Sequence, residues 1–405
     1  MKIISKNTVP QGFKFGGIHC GIKKKRKDLG LIYSETPALA TGLFTVNKMQ
    51  AAPIKLCKRN IKNKIQAVIA NSGNANCAVR NGFKDALLLT DLIAQELKIK
   101  RGDILSASTG IIGVPLPMDK IKKGIPFLIK QLKEDSDDFA QAILTTDKVC
   151  KQIAVELNIT GRKVVINGIA KGSGMISPNM ATMLCFLATD IDIDKRLLMS
   201  CLKEAVQNSF NQITVDGEMS TNDTVLCLAN GEAGNKRLQA TSYKLQVKKT
   251  ENKDLEKFQE ALNYIALYLA KEIVKDGEGA TKIIEVEVKG AKKKIDAEKI
   301  ACHIANSNLI KTMFYGESTN YGRIAAAVGS SGVDLNLTDI YLVSDKNRVK
   351  IFEKGYFLSA DEKVLKKILG KKEIKIVVDL KKGDFSKRIL TCDLSEEYVR
   401  INAEY

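Results

Sequence analysis

Lys171-Gly172-Ser173-Gly174-Met175-Ile176-Ser177-Pro178-Asn179-Met180-Ala181-Thr182-Met183-Leu184 is the stretch that decides how this chain is read. A glycine-rich loop with a proline runs straight into an apolar segment, which predicts a strand over 182–190. Gly172 and Gly174 open backbone conformations closed to other residues. Small Ala181 leaves its own carbonyl approachable. A hydroxyl at the first strand position can attack that carbonyl, form an ester and let water cleave it. Thr182 would then carry a free α-amino group. Such an amine has an unperturbed pKa of roughly 7.7–8.0 and acts as a base beside its own hydroxyl. The plain alternative is a loop-to-strand turn with a buried threonine, and composition alone favours it. The lysine precedes the glycines, so the segment lacks the order of a phosphate loop. Gly277-Glu278-Gly279-Ala280-Thr281-Lys282 is glycine-rich too, but its acidic residue opposes phosphate.

The whole chain narrows the choices. Its 405 residues, 44% hydrophobic and 27% charged, fit a globular protein of two or three domains. No apolar run reaches a bilayer span, and the start lacks a secretory core, so a cytoplasmic protein without a membrane partner is expected. Nine scattered cysteines without CxxC pairs predict reduced thiols and no metal site. The two histidines, His19 and His303, read as ordinary side chains. Cys302 precedes His303, yet adjacency in sequence does not make a nucleophile–base pair. The net charge of +18 comes mostly from lysine runs such as 23–27 and 292–294. They lie far apart, without tryptophan or an aromatic-interleaved motif, so solvated faces fit better than nucleic acid. A positive field still favours anionic substrates.

Periodicity predicts a mixed α/β chain. Ile65–Ala70 reads as a buried strand that breaks at Asn71-Ser72-Gly73-Asn74. Apolar spacing predicts a helix over 82–98, with others over 118–134, 137–145, 194–210 and 253–275. Strands are expected at 163–168, 223–229 and 282–288, and the chain from about 337 reads as β-rich. A domain boundary is placed near 283–290.

The segment AKGSGMISPNMATML closely resembles the cleavage motif of the ornithine acetyltransferase family, the ArgJ proteins of arginine biosynthesis. Further blocks extend the resemblance along nearly the whole chain: GIKKKRKDLGLI, FTVNKMQAAPI at 44–54, NSGNANCAVRNG at 71–82, STGIIGVPLPMDKI at 108–121, ILTTDK at 143–148, TVDGEMSTNDT at 214–224, KDGEGATK at 275–282 and the final RINAEY. The resemblance implies a DmpA/ArgJ-like, N-terminal-nucleophile-type layered α/β (α+β) fold with a smaller β-rich C-terminal domain. It implies self-cleavage at Ala181–Thr182 into an α chain, 1–181, and a β chain. The β chain would comprise a nucleophile-bearing part, 182–285, and a C-terminal domain, 286–405.

It further implies an acetyltransferase that carries the acetyl group of N-acetylornithine on Thr182 to glutamate, by ping-pong kinetics. Thr109 and Gly110 match the oxyanion-hole pair. Substrate contacts fall on Thr145 or Thr146, Lys171, Thr182, Glu278 and Asn402. Lys171 suits a carboxylate and Glu278 a cationic amine. Read without the resemblance, Ser108-Thr109-Gly110 is a turn, Lys171 and Glu278 are surface charges, and Asn402 is a fraying tail residue. No cofactor is implied, although some members also use acetyl-CoA as acetyl donor. An α2β2 heterotetramer is the family's assembly. Three departures stand out: TTDK for the commoner TTDT, GESTNYGRI for GxDPNWGRI, and an end at Tyr405 where members commonly run on to a hydroxyl residue that touches substrate. The competing readings are an amidohydrolase or aminopeptidase of related fold, with water as acceptor, and a basic nucleic-acid-binding protein.

Overall fold

The structure, a computed structural model, describes residues 1–177, 183–239, 253–335 and 338–404. Residues 178–182 of the cleavage motif, with Ala181 and Thr182 among them, therefore lie outside the described residues. The chain divides into two compact units. The first comprises Met1–Gly172, Asn179–Asn211 and Met219–Ile273; the second comprises Ser173–Pro178, Gln212–Glu218 and Val274–Tyr405.

In the first unit the strands are β1 (Lys2–Ile4), β2 (Phe13–Ile18), β3 (Leu29–Phe44), β4 (Ile65–Asn74), β5 (Ile104–Ile111), β6 (Lys151–Ile159), β7 (Arg162–Lys171), β8 (Leu184–Thr189) and β9 (Thr224–Ala229). They form one sheet in the order β1-β6-β7-β8-β9-β3-β4-β5, with β2 paired to β3. The pairs β4·β5 and β8·β9 are parallel; the others are antiparallel. The helices are α1 (Ala52–Asn60), α2 (Gly82–Leu97), α3 (Met118–Lys130), α4 (Asp137–Ala142), α5 (Lys195–Gln207) and α6 (Lys253–Lys275). β8 is buried at every position and apolar up to its last residue, Thr189, as expected of a central strand covered on both faces. Phe186 from β8 packs edge-on against Phe139 of α4 at 5.1 Å, and Phe139 meets Phe15 of β2 at 5.8 Å.

The expected helices form, with ends set by competing contacts. α2 stops because Lys98 turns left-handed, at φ 55°, and Ile99 bonds back to Ala94. α3 ends at Lys130, four residues before the expected 134, because Lys133 exchanges backbone hydrogen bonds with Phe15 at 2.8 and 3.0 Å. Asp194 caps α5 by accepting the Arg196 N–H. The expected break at Asn71-Ser72-Gly73-Asn74 does not occur: β4 runs on through Asn74. Partners distant in sequence satisfy its polar side chains there. Ser72 Oγ donates to Ala142 O, Ser108 Oγ donates to Asn71 Oδ1, and Asn74 Nδ2 donates to Val114 O.

In the second unit, β10 (Ile283–Ala291), β11 (Asp339–Ser344), β12 (Asn347–Glu353), β13 (Tyr356–Phe357), β14 (Glu373–Asp379) and β15 (Phe385–Cys392) form a sheet in the order β13-β12-β11-β14-β10-β15. Among the described residues, α7 (Lys294–Ala305), α8 (Asn308–Tyr315), α9 (Gly322–Gly329), α10 (Glu362–Leu369) and α11 (Glu396–Glu404) accompany it. Its core gathers Val286, Ile300, Phe314, Ile324, Leu342 and Ile376. A separate β-rich region is thus present, and the protein is mixed α/β with two sheets.

Candidate active site

In the first unit the polar side chains collect at one end of the sheet. β5 carries Ser108-Thr109-Gly110, so the expected turn is instead a strand end. Ser72 pairs with Thr109 and Gly73 with Gly110, and the register slips at Asn74, which faces both Thr109 and Ile111. Such an irregularity re-aims a strand end. Gly110 sits at φ +129°, and a Cβ there would fall 2.3 Å from the Gly73 carbonyl carbon and 2.4 Å from Asn74 N. The position is closed to any other residue. Asn222 Nδ2 fixes the same corner by donating to Ser108 O at 2.8 Å and Ala75 O at 2.7 Å.

Lys171 ends β7 and is 3% exposed. The surface-charge reading is thereby overturned, because a buried ammonium needs partners and this one has them. Its Nζ donates to Thr145 Oγ1 at 2.7 Å and Thr109 Oγ1 at 3.5 Å, and lies 3.6 Å from Asp147 Oδ2. Sequence left Thr145 and Thr146 undivided; the Thr145 hydroxyl accepts a hydrogen bond from Lys171 Nζ.

Asp147, assigned no role from sequence, is the hub. Its Oδ1 accepts from Lys151 Nζ and from the Gly172 N–H, both at 2.7 Å, and its Oδ2 accepts from the Thr145 N–H at 3.0 Å. Burial alone would raise the Asp147 carboxyl, but the ammoniums of Lys171 and Lys151, with these donors, hold it well below the usual carboxylate range. Asp223 differs. Its Oδ1 accepts the Met183 N–H at 3.1 Å, while its Oδ2 is buried without a hydrogen-bond partner among the described residues. Burial pushes its carboxyl well up, against the opposing pull of the Met183 N–H, Lys171 and Thr45. Two aspartates held so far apart in acidity suit different proton tasks.

The second unit contains the other matched residues. Glu278 is 8% exposed, so the surface reading fails here too. Its N–H donates to Ser173 O at 2.8 Å, and its Oε2 accepts from Asn402 Nδ2 at 2.8 Å. Asn402, expected as a tail residue, lies in α11. A Cβ on Gly174 would fall 2.5 Å from the Glu278 carboxyl, which is why the loop needs glycine there. Asp393 clamps the 277–282 loop by accepting the N–H groups of Thr281 and Lys282 at 2.8 and 2.9 Å. The segment before the cleavage motif is clamped as well. Asp216, another residue without a role from sequence, accepts the N–H groups of Met175 at 2.6 Å and Ile176 at 2.9 Å. Tyr398 Oη donates to Asp216 Oδ2 at 3.3 Å, and burial, with the charges of Asp216 and Glu278, pushes this phenol up.

Among the described residues no cysteine is in a disulfide. Burial raises the Cys302 thiol, the reverse of what activates a cysteine nucleophile. His19 pairs with Asp28 at 3.2 Å. Among the described residues no helix is long and apolar enough to cross a membrane.

A layered α/β sheet ending in buried, hydrogen-bonded lysine, aspartate and threonine side chains defines a polar site of the enzymatic kind. The model of the ArgJ family matches residues 14–405, and the chain belongs to that family. It is 47% identical over 405 residues to the arginine biosynthesis bifunctional protein ArgJ of Caldanaerobacter subterraneus subsp. tengcongensis, covering 99% of this chain and 98% of that one. It is 46% identical over 411 residues to the glutamate N-acetyltransferase of Methanocaldococcus jannaschii, covering 98% of each. Among solved structures, the ornithine acetyltransferase of Mycobacterium tuberculosis complexed with ornithine is 32% identical, with a TM-score of 0.41 over 44% of this chain and 98% of that chain.

Proposed function

We propose that the chain is a glutamate N-acetyltransferase that breaks its own Ala181–Thr182 bond and then carries acetyl from N2-acetyl-L-ornithine to L-glutamate on Thr182. The cleavage motif, within a match to the ArgJ family along residues 14–405, carries this reading. The freed α-amine takes the Thr182 hydroxyl proton as the oxygen attacks the acetyl carbonyl. Thr109 and Gly110 hold the resulting oxyanion. Collapse expels ornithine, whose nitrogen takes the proton back. The glutamate amine then attacks the acetyl ester by the same steps. Lys171 and Thr145 hold a substrate carboxylate, with Thr146 beside them in sequence, while Glu278 and Asn402 serve the substrate amine. The buried ammonium of Lys171, hydrogen-bonded to Thr145, supports that assignment. No cofactor is needed, and acetyl-CoA is a second acetyl donor. The two chains assemble as an α2β2 heterotetramer in the cytoplasm.

The test is acetylglutamate formation by purified protein from acetylornithine plus glutamate, and separately from acetyl-CoA plus glutamate. Product in the first mixture is expected. Release of free acetate at the same rate without glutamate would instead support an amidohydrolase.

Gly110→Ala is expected to lower the transfer rate by about 10²–10³-fold, the worth of one oxyanion donor. The added carbon meets main-chain atoms of β4, which cannot swing aside. Steady-state kinetics on the cleaved variant measure it; a kcat within twofold of wild type would remove Gly110 from the site.

A further inference from the structure

Self-cleavage poses a proton problem that the transfer reaction does not. The α-amine of Thr182 becomes a base only after the bond has broken, because before that its nitrogen is an amide. The first attack therefore needs a different group to move protons. Lys171 is an ammonium engaged by Thr145 and Asp147, and Asp147 is a carboxylate held by two ammoniums, hence a poor proton acceptor. Neither histidine belongs to this cluster.

Asp223 meets the requirements. It lies between Asn222, which fixes the Ser108 and Ala75 carbonyls, and Thr224, the first residue of β9. Its backbone is pinned on both sides: Thr45 N–H donates to Asp223 O, and Thr224 N–H donates to Met183 O, each at 3.0 Å. Its Oδ1 accepts the Met183 N–H, the next amide along the chain from the Thr182 nitrogen. Its Oδ2 is buried and has no hydrogen-bond partner among the described residues. Buried polar oxygens are seldom left so, and the exceptions call for a role.

We infer that Asp223 is the proton relay of the bond break at Thr182, an inference that rests on the self-cleavage proposed above. The Thr182 oxygen bonds to the Ala181 carbonyl carbon, and the bond from that carbon to the Thr182 nitrogen breaks. The Asp223 carboxyl gives its proton to the departing nitrogen and takes the one leaving the Thr182 hydroxyl, so it ends as it began. Water then cleaves the ester, freeing the Ala181 carboxyl and the Thr182 hydroxyl. Burial pushes the carboxyl up, toward the protonated form that can donate. Lys171, Thr45 and the Met183 N–H face it and oppose that shift.

Asp223→Asn keeps the acceptor for the Met183 N–H and the side-chain volume but cannot relay a proton. The precursor, followed on a denaturing gel from cell-free synthesis, is expected to cleave about 10²–10⁴-fold more slowly than wild type, the usual worth of one general acid–base group. Its unfolding midpoint should stay unchanged, which a merely structural role would not allow. Cleavage at the wild-type rate, while Thr182→Ala stays whole, overturns the relay and leaves the nucleophile standing. Cleavage of Thr182→Ala itself overturns both. Should Asp223→Asn not fold, the wild-type precursor decides. Its cleavage should slow as pH rises through the carboxyl's raised midpoint, because the proton donor is lost. A rate that climbs steadily to pH 9 refutes the relay.

Discussion

Thr182→Ala should run as one band of the full chain, where the wild type gives two, residues 1–181 and 182–405. It should form no acetylglutamate. The single substitution removes the oxygen that attacks Ala181, so the bond stays closed. It also removes the oxygen that would carry acetyl, and the uncut chain has no free amine to serve as base. Three requirements fail together, so the effect is far larger than the loss of one contact. Removing the nucleophile of a cooperating set costs on the order of 10⁶-fold in rate elsewhere, and a comparable loss is expected here. Thr182→Ser keeps both hydroxyl and amine and should still cleave. Mass spectrometry of both variants, with an acetylornithine assay, measures the prediction. Two bands from Thr182→Ala would end the nucleophile assignment.

Asp147→Asn should produce the largest loss of stability. Lys151 and Lys171 are 1% and 3% exposed, and Asp147 is the carboxylate that faces both. Neutralising it removes a carboxylate that pairs with two buried ammoniums, and breaking one buried pair typically costs about 3–5 kcal/mol. The variant also loses an anionic acceptor for the Gly172 N–H, next to Lys171. Urea unfolding of matched proteins gives the number. The pH dependence has a definite sign. A carboxyl held below its unfolded value of about 3.9 contributes its full stability above that pH and loses it as pH falls through the folded value. The gap between wild type and variant should therefore stay level from pH 8 to about 5 and shrink below about 4. A gap that widens in acid would contradict the ion-pair account.

Much of the fold was legible because it is local. The apolar spacing of Ala86, Leu89 and Ile93 marked α2, and the apolar run after Thr182 marked β8. The chemistry was legible where a short motif carries it, as in the loop entering Thr182, and the resemblance to the ArgJ family supplied the remaining candidates. Local pattern misled at Asn71-Ser72-Gly73-Asn74, at Ser108-Thr109-Gly110 and in the bland readings of Lys171, Glu278 and Asn402.

The amino-acid order by itself determined where helices and strands arise, and which residue joins a hydroxyl to a potential terminal amine. Only the tertiary structure decided which charged and polar side chains are buried and who satisfies them. Lys171 finds Thr145 from 26 residues away, and Asn222 finds Ser108 from 114. Helical and strand periods report backbone geometry between near neighbours, whereas desolvation and charge pairing depend on distance in space. Hence Asp147 and Asp223, to which sequence assigned no role, acquired opposite acidities only when the fold brought the ammoniums of Lys171 and Lys151 to one and buried the other.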